Sequence, residues 1–218
     1  MNKATFVVFL SLFASPLCAS ELSTGIASLE SEWATAYYQR DASQQQQIYP
    51  LLEEKAAQLV KRHPNAAEAK IWLATIMATR AAYQSSLTAL ATLDAAKLLL
   101  EAAIQQNPNA LEGAAYVTLG TLYYMTPGWP VSFGDDQMAE QLLLTSLKIN
   151  PSGIDANYFY ADFLLQHNRS GEAEEYLRKA AQAPVRKQQP LSDSQLQNEA
   201  KLALANVQQR KPKTAGNS

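Results

Sequence analysis

Ala139-Glu140-Gln141-Leu142-Leu143-Leu144-Thr145-Ser146-Leu147-Lys148-Ile149-Asn150-Pro151 is the stretch that decides how this chain folds. It sets a small, a large and a small residue at Ala139, Leu143 and Ser146, and ends in a proline that cannot continue a helix. Upstream, Ala96, Leu100, Ala103 and Pro108 stand at the same separations. Downstream, Ala173, Leu177 and Ala180 repeat them, with Pro184 one place early. On a helix these spacings put all three residues on one face. Such a helix, recurring and closed each time by proline, implies stacked helical hairpins that shelter one another.

Composition agrees with helix. Only 8 of 218 residues are Gly, and Ala, Leu and Gln recur throughout. A hydrophobic share of 47% suffices for a core. The first residues differ from the rest: Lys3, an apolar run from Phe6 to Phe13, then small residues around Cys18 and Ser20. This order predicts a secretory signal peptide, cleaved after Ser20 or after Ala19. The apolar run is too short to span a bilayer, so no stable membrane insertion is expected after cleavage. A retained anchor helix is the competing reading. Leu17 before Cys18 argues against a lipoprotein. Cleavage removes the sole Cys, and with it disulfide and thiol chemistry. A small Cys-free exported helical chain fits a bacterial periplasm. The formal charge of −2 becomes −3 once Lys3 is lost, which leaves no electrostatic footprint for nucleic acid.

The chain divides into 1–20 as signal peptide, 21–64 as an N-terminal helix pair, 65–184 as repeats, 185–210 as linker and capping helix, and 211–218 as a disordered tail. Helices are expected over Leu22–Arg40 and Ile48–Arg62, then Ala66–Tyr83 with Leu93–Gln106. Leu111–Met125 follows, then a breaker-rich loop through Pro127, Gly128, Trp129 and Pro130, then a helix capped by Asp135-Asp136. Ile154–Gln166 and Gly171–Gln182 form the last hairpin, and a helix from Ser192 or Asp193 to Arg210 covers the end of the stack.

These residues resemble the tetratricopeptide repeat, a unit of about 34 residues made of two antiparallel helices. Tyr116, Leu119-Gly120 and Tyr123 match its first helix, and Ala139, Leu143, Ser146 and Pro151 its second. Tyr160-Ala161, Leu164, Ala173, Leu177 and Ala180 give another unit; Leu73-Ala74, Met77, Ala96, Leu100, Ala103 and Pro108 give the earlier one. The packing reason is close approach: Ala74, Gly120 and Ala161 on first helices meet Ala96, Ala139 and Ala173 on second ones, with Ala103 and Ala180 further along. Against the family's unit length, the middle unit carries about seven extra residues between its helices and the earlier one about ten. Such extensions are similar to those of periplasmic bacterial repeat proteins, among them the T-component proteins associated with TRAP-type transporters. The resemblance implies an all-α, right-handed solenoid whose first helices line a concave groove.

On that resemblance the groove shows Glu68, Ile71, Trp72, Thr75 and Thr79 from the earlier unit. The middle unit adds Val117, Thr121, Tyr124 and Met125, and the last one Asp155, Tyr158, Phe159, Asp162 and Gln166. The Lys, Arg and Asn set with which some members grip a terminal carboxylate is missing, although Lys70 is near. An aromatic, mildly acidic lining suits a neutral peptide or a cation over a ring. The same aromatics could instead pack on neighbouring helices. Trp129 is either a projecting apolar contact or, with Phe133, a plug over its hairpin.

His63 and His167 fall at expected helix C-termini and read as caps. Phosphate-loop, nucleophile-elbow and zinc-protease motifs are all missing from the sequence. The reading is a non-enzymatic periplasmic scaffold, with no cofactor, binding an envelope protein or an extended peptide. One alternative is a solute- or lipid-binding helper of a transporter, which needs an enclosed apolar pocket near Tyr116, Tyr124, Trp129 and Tyr158. The other is a hydrolase using Asp155 and Asp162.

Overall fold

The computed structural model describes residues 16–210; the apolar run at Phe6–Phe13 and the tail at 211–218 lie outside them. The described residues form nine helices: α1 (Pro16–Gln39), α2 (Ala42–Arg62), α3 (Ala67–Ala81), α4 (Ser86–Gln106), α5 (Ala114–Met125), α6 (Asp136–Ile149), α7 (Ile154–Gln166), α8 (Ser170–Gln182) and α9 (Pro190–Arg210). No helix among them is long and apolar enough to cross a membrane.

The small–large–small sets do what their spacing implies. Ala96, Leu100, Ala103, Ala139, Leu143, Ser146, Ala173, Leu177 and Ala180 are all buried, with nothing left to solvent. Their partners on the first helices, Ala74 and Ala161, are equally buried. A β-carbon on Gly120 would stand 2.9 Å from Leu143 Cγ, so α5 and α6 approach as closely as a glycine permits. Two of the prolyl carbonyls that follow a helix are also used. Asn157 Nδ2 donates to Pro151 O at 2.9 Å, and Lys70 Nζ donates to Pro64 O and, at 2.8 Å, to Gln106 Oε1. Lys70 is thus a buried fastener of the α2–α3 turn, its pKa lowered by desolvation, and does not face a ligand.

Several boundaries differ from the sequence expectation. α2 begins at Ala42 and takes in the Gln run and Pro50, because Asp41 and Gln44 form a reciprocal capping box. Gln45 is buried, and its side-chain Nε2 donates to the carbonyls of Ala36, Tyr37 and Arg40 at 2.9–3.1 Å, closing the end of α1. The extra residues of the earlier unit do not form a loop; they lengthen α4, which starts at Ser86. Those of the middle unit do lie between its helices.

α5 starts only at Ala114. Before it Leu111, Glu112 and Gly113 are all left-handed, with φ of 47°, 58° and 84°. For Leu111 and Glu112 this costs on the order of 1–3 kcal/mol each. Glu112 is held by Asn150 Nδ2 at 2.6 Å. A Cβ on Gly113 would meet Ile149 at 3.2 Å.

The odd-numbered helices touch in the order α1, α3, α5, α7, α9, while α2, α4, α6 and α8 pack between successive odd ones. α9 does more than cover α8. It also lies against α7 and reaches α1, so the two ends of the described chain meet.

Candidate partner-binding surfaces

The closure of α9 on α1 decides the fate of the expected groove. An open row of first helices would leave its inner face to a ligand; here the ring of odd helices turns that face inward. Trp72, expected in the groove, is buried and meets Trp33 of α1 edge-on, ring centroids 5.9 Å apart. Trp33 also donates its indole N–H to Thr79 Oγ1 at 3.0 Å. Ile71 and Val117 are buried as well. For Trp72 the groove assignment fails because α1 covers α3.

Tyr124 of α5 donates its hydroxyl to Asp162 Oδ2 of α7 at 2.8 Å and sets its ring against Phe163. Gln166 donates to the same carboxylate oxygen at 2.9 Å. Tyr158 packs edge-on to Phe159, and Glu199 of α9 faces its hydroxyl. Burial first, and then these carboxylates, push the Tyr124 and Tyr158 hydroxyls well above the ordinary tyrosine range. Thr75 and Thr121 return their hydroxyls to the carbonyls of Ile71 and Val117. Met125 and Gln166, at the ends of α5 and α7, are the exposed members of the expected groove.

Asp155 is engaged separately. Arg186, in the α8–α9 linker, donates Nη2 to Asp155 at 2.7 Å and to Asp193 at 2.5 Å. Asp193 is fully buried and also accepts the backbone N–H of Arg186 at 2.6 Å. It therefore ties the linker to the first turn of α9, which starts at Pro190 and not at Ser192 or Asp193 as expected. The adjacent Ser192 donates to Glu30 of α1 at 3.3 Å. Asp155 and Asp162 share a helix, yet each serves its own partner, which gives no paired carboxylate site. Among the described residues no group of three or more His, Cys, Asp or Glu is placed to hold a metal.

His63 and His167 are both helix C-caps. His167 stands within 3.0 Å of Asp136 and 2.8 Å of the Phe163 carbonyl, which raise its pKa. Asp135 caps α6, accepting the Met138 N–H at 3.0 Å.

The loop from Thr126 to Asp135 separates its two aromatics. Phe133 turns inward, edge-on to Tyr123 at 5.3 Å, with the Lys97 ammonium 5.6 Å from its ring. Trp129 turns outward and is 89% exposed. The plug reading therefore holds for Phe133 and fails for Trp129. The loop backbone is pinned: Gly134 N donates to Pro127 O at 3.0 Å, Val131 N to Gly128 O at 3.1 Å, and Asp135 N to Tyr123 O at 3.0 Å. Val131 within the loop and Met138 just after it are exposed. A second pair of exposed apolar residues, Leu87 and Leu98, lies on α4.

A cavity of about 390 Å³ opens between α1, the start of α3, the left-handed turn before α5 and the α8–α9 linker. A shallower one lies between α1 and α2. Neither is lined by Tyr116, Tyr124, Trp129 or Tyr158, the residues beside which the solute-binding reading placed its pocket.

No protein-family profile and no curated protein matches the sequence. Solved structures do. TTC0263, a thermophilic tetratricopeptide-repeat protein of Thermus thermophilus, superposes with a TM-score of 0.58 over 87% of this chain and 96% of its own, at 17% identity. This chain has the tetratricopeptide-repeat fold. Weaker likenesses are to MamA, TM-score 0.44 at 16% identity over 78% of this chain and 94% of that one, and to yeast Tom70, TM-score 0.46 at 20% identity over 88% and 37%. Of the expected groove the closed ring buries Ile71, Trp72 and Val117, while Thr75, Tyr124, Tyr158, Phe159 and Asp162 stay half-buried and Trp129 lies in solvent.

Proposed function

We propose that this chain is a protein-interaction scaffold of the bacterial periplasm that takes its partner on the Trp129 loop, outside the helical ring. The observation that carries the reading is a rigid loop holding a tryptophan 89% exposed while Phe133, four residues on, anchors its base. A projecting side chain on a pinned backbone loses little conformational freedom on binding, which is the condition under which a single tryptophan dominates an interface. Val131 in the same loop, Met125 at the end of α5 and Met138 in the first turn of α6 are exposed apolar residues as well. The periplasmic address rests on the leader-like order of Lys3, Phe6–Phe13 and Ser20. The partner is an envelope protein or an extended peptide, and service to a TRAP-type transporter is a narrower form of the same proposal.

The test is cross-linking capture from periplasmic extract with the parent chain and with Trp129→Ala, followed by affinity measurement on the protein retained. Trp129→Ala weakens that affinity by about 2 kcal/mol or more, the scale of an interface hot spot, with an unchanged Tm. Equal affinity for the two proteins refutes the loop assignment.

A further inference from the structure

The cavity beside α1 has a composition that its neighbourhood does not explain. One wall is apolar, from Leu22 and Ile26 of α1 and Leu111 of the left-handed turn. The polar lining includes Glu30, Glu68 and Gln189, with no cation among the lining residues. Glu30 is only 5% exposed and accepts a hydroxyl from Ser192 at 3.3 Å, a long bond for its type. Burial raises its pKa, and the cation that partly offsets this, Arg186, is already divided between Asp155 and Asp193. Lys70 is held by Pro64 and Gln106, and Arg62 by Glu21. Among the described residues that line it, carboxylates thus outnumber cations at an apolar opening. The volume is that of a small-molecule site, for which about 300 Å³ is the lower bound.

We propose that this cavity binds a protonated aliphatic amine, its ammonium held by Glu30 and Glu68 and its hydrocarbon laid along Leu22, Ile26 and Leu111. The charge selects the ligand. An anion meets uncompensated carboxylates, and a neutral alcohol leaves Glu30 without a counter-charge. The apolar wall separates this ligand from a bare inorganic cation, which gains nothing from it. The site lies apart from the Trp129 loop and stands or falls independently of it.

The test uses methyl-labelled full-length chain titrated at neutral pH with n-hexylamine, n-hexanol, hexanoate and ammonium chloride. Hexylamine produces saturable shifts of the Leu22, Ile26 and Leu111 methyl signals. Hexanol and ammonium bind at least about tenfold more weakly, the loss of one charge-assisted contact or of the apolar one. Hexanoate gives no saturation. Glu68→Gln, at a partly exposed position, weakens hexylamine at least about tenfold without lowering Tm, and Trp129→Ala leaves it unaltered. Equal affinity for hexylamine and hexanol, an unaffected Glu68→Gln variant, or shifts confined to other methyls would each overturn the assignment.

Discussion

Gly120→Ala, set beside Gly171→Ala, tests the packing on which the fold rests, because one substitution should carry opposite signs at the two sites. Both glycines are helical, in α5 and α8. Placing Ala for Gly in a helix is worth about 0.5–1 kcal/mol on backbone grounds alone. At Gly171 a β-carbon meets nothing within 4 Å, so that gain stands, reduced by the position near the start of α8. At Gly120 it meets Leu143 Cγ at 2.9 Å and the Ala139 carbonyl oxygen at 3.2 Å. Leu143 is fully buried and has no solvent-facing rotamer to retreat to, and the oxygen belongs to the backbone of α6. Overpacking of this kind costs about 1–3 kcal/mol, which exceeds the helix gain and leaves a net loss of about 1 kcal/mol. For a chain of this size that lowers Tm by about 2–4 °C, while Gly171→Ala raises it by about 1–2 °C. Thermal melts followed by far-ultraviolet circular dichroism read both. A Gly120→Ala protein that melts at or above the parent temperature refutes the close-approach argument.

Two further outcomes follow from the charge network. Arg186→Met strips the fully buried Asp193 of its counter-charge, so α9 loosens at a cost of about 3–5 kcal/mol and its amides exchange faster; parent-like protection of α9 would show that Arg186 is dispensable. His167 has its pKa raised first by Asp136, then by the Phe163 carbonyl, so its stabilising effect is fully present below about pH 6.5 and is lost as pH rises through the folded value. Titration by NMR should place His167 above the free imidazole, and Asp136→Asn should bring it down; an unmoved His167 in that variant excludes the pair as the cause.

Much of the helix layout was legible because its signals are local. The prolines at 64, 108 and 151 end their helices within two residues, and the three small–large–small sets bury as a period of one helical turn requires. The Asp41–Gln44 capping box was also written in the sequence, and only the Gln run distracted from it. The left-handed turn at Leu111–Gly113 had one clue, the glycine; nothing local marks Leu111 or Glu112 for positive φ, since neither residue favours it. The candidate site was less legible. Periodicity can place Trp72 or Asp155 on a face, but it cannot say what covers that face, and the two faces of Tyr158 or Phe159 read alike until a neighbour arrives.

By itself the sequence determined an all-helical chain, its breaks, and which small residues let paired helices touch, since each depends on residues a few positions apart. Tertiary structure alone decided that Ser192 meets Glu30 across a separation of 162 residues, and so that α9 shuts the ring of first helices. With it the expected lining is covered in part, Trp72 wholly and Tyr124 and Tyr158 by half, while Trp129 faces water. Whether a side chain is buried depends on how far each hairpin rotates against the last, and those small rotations sum along the stack to a closure that no local pattern records.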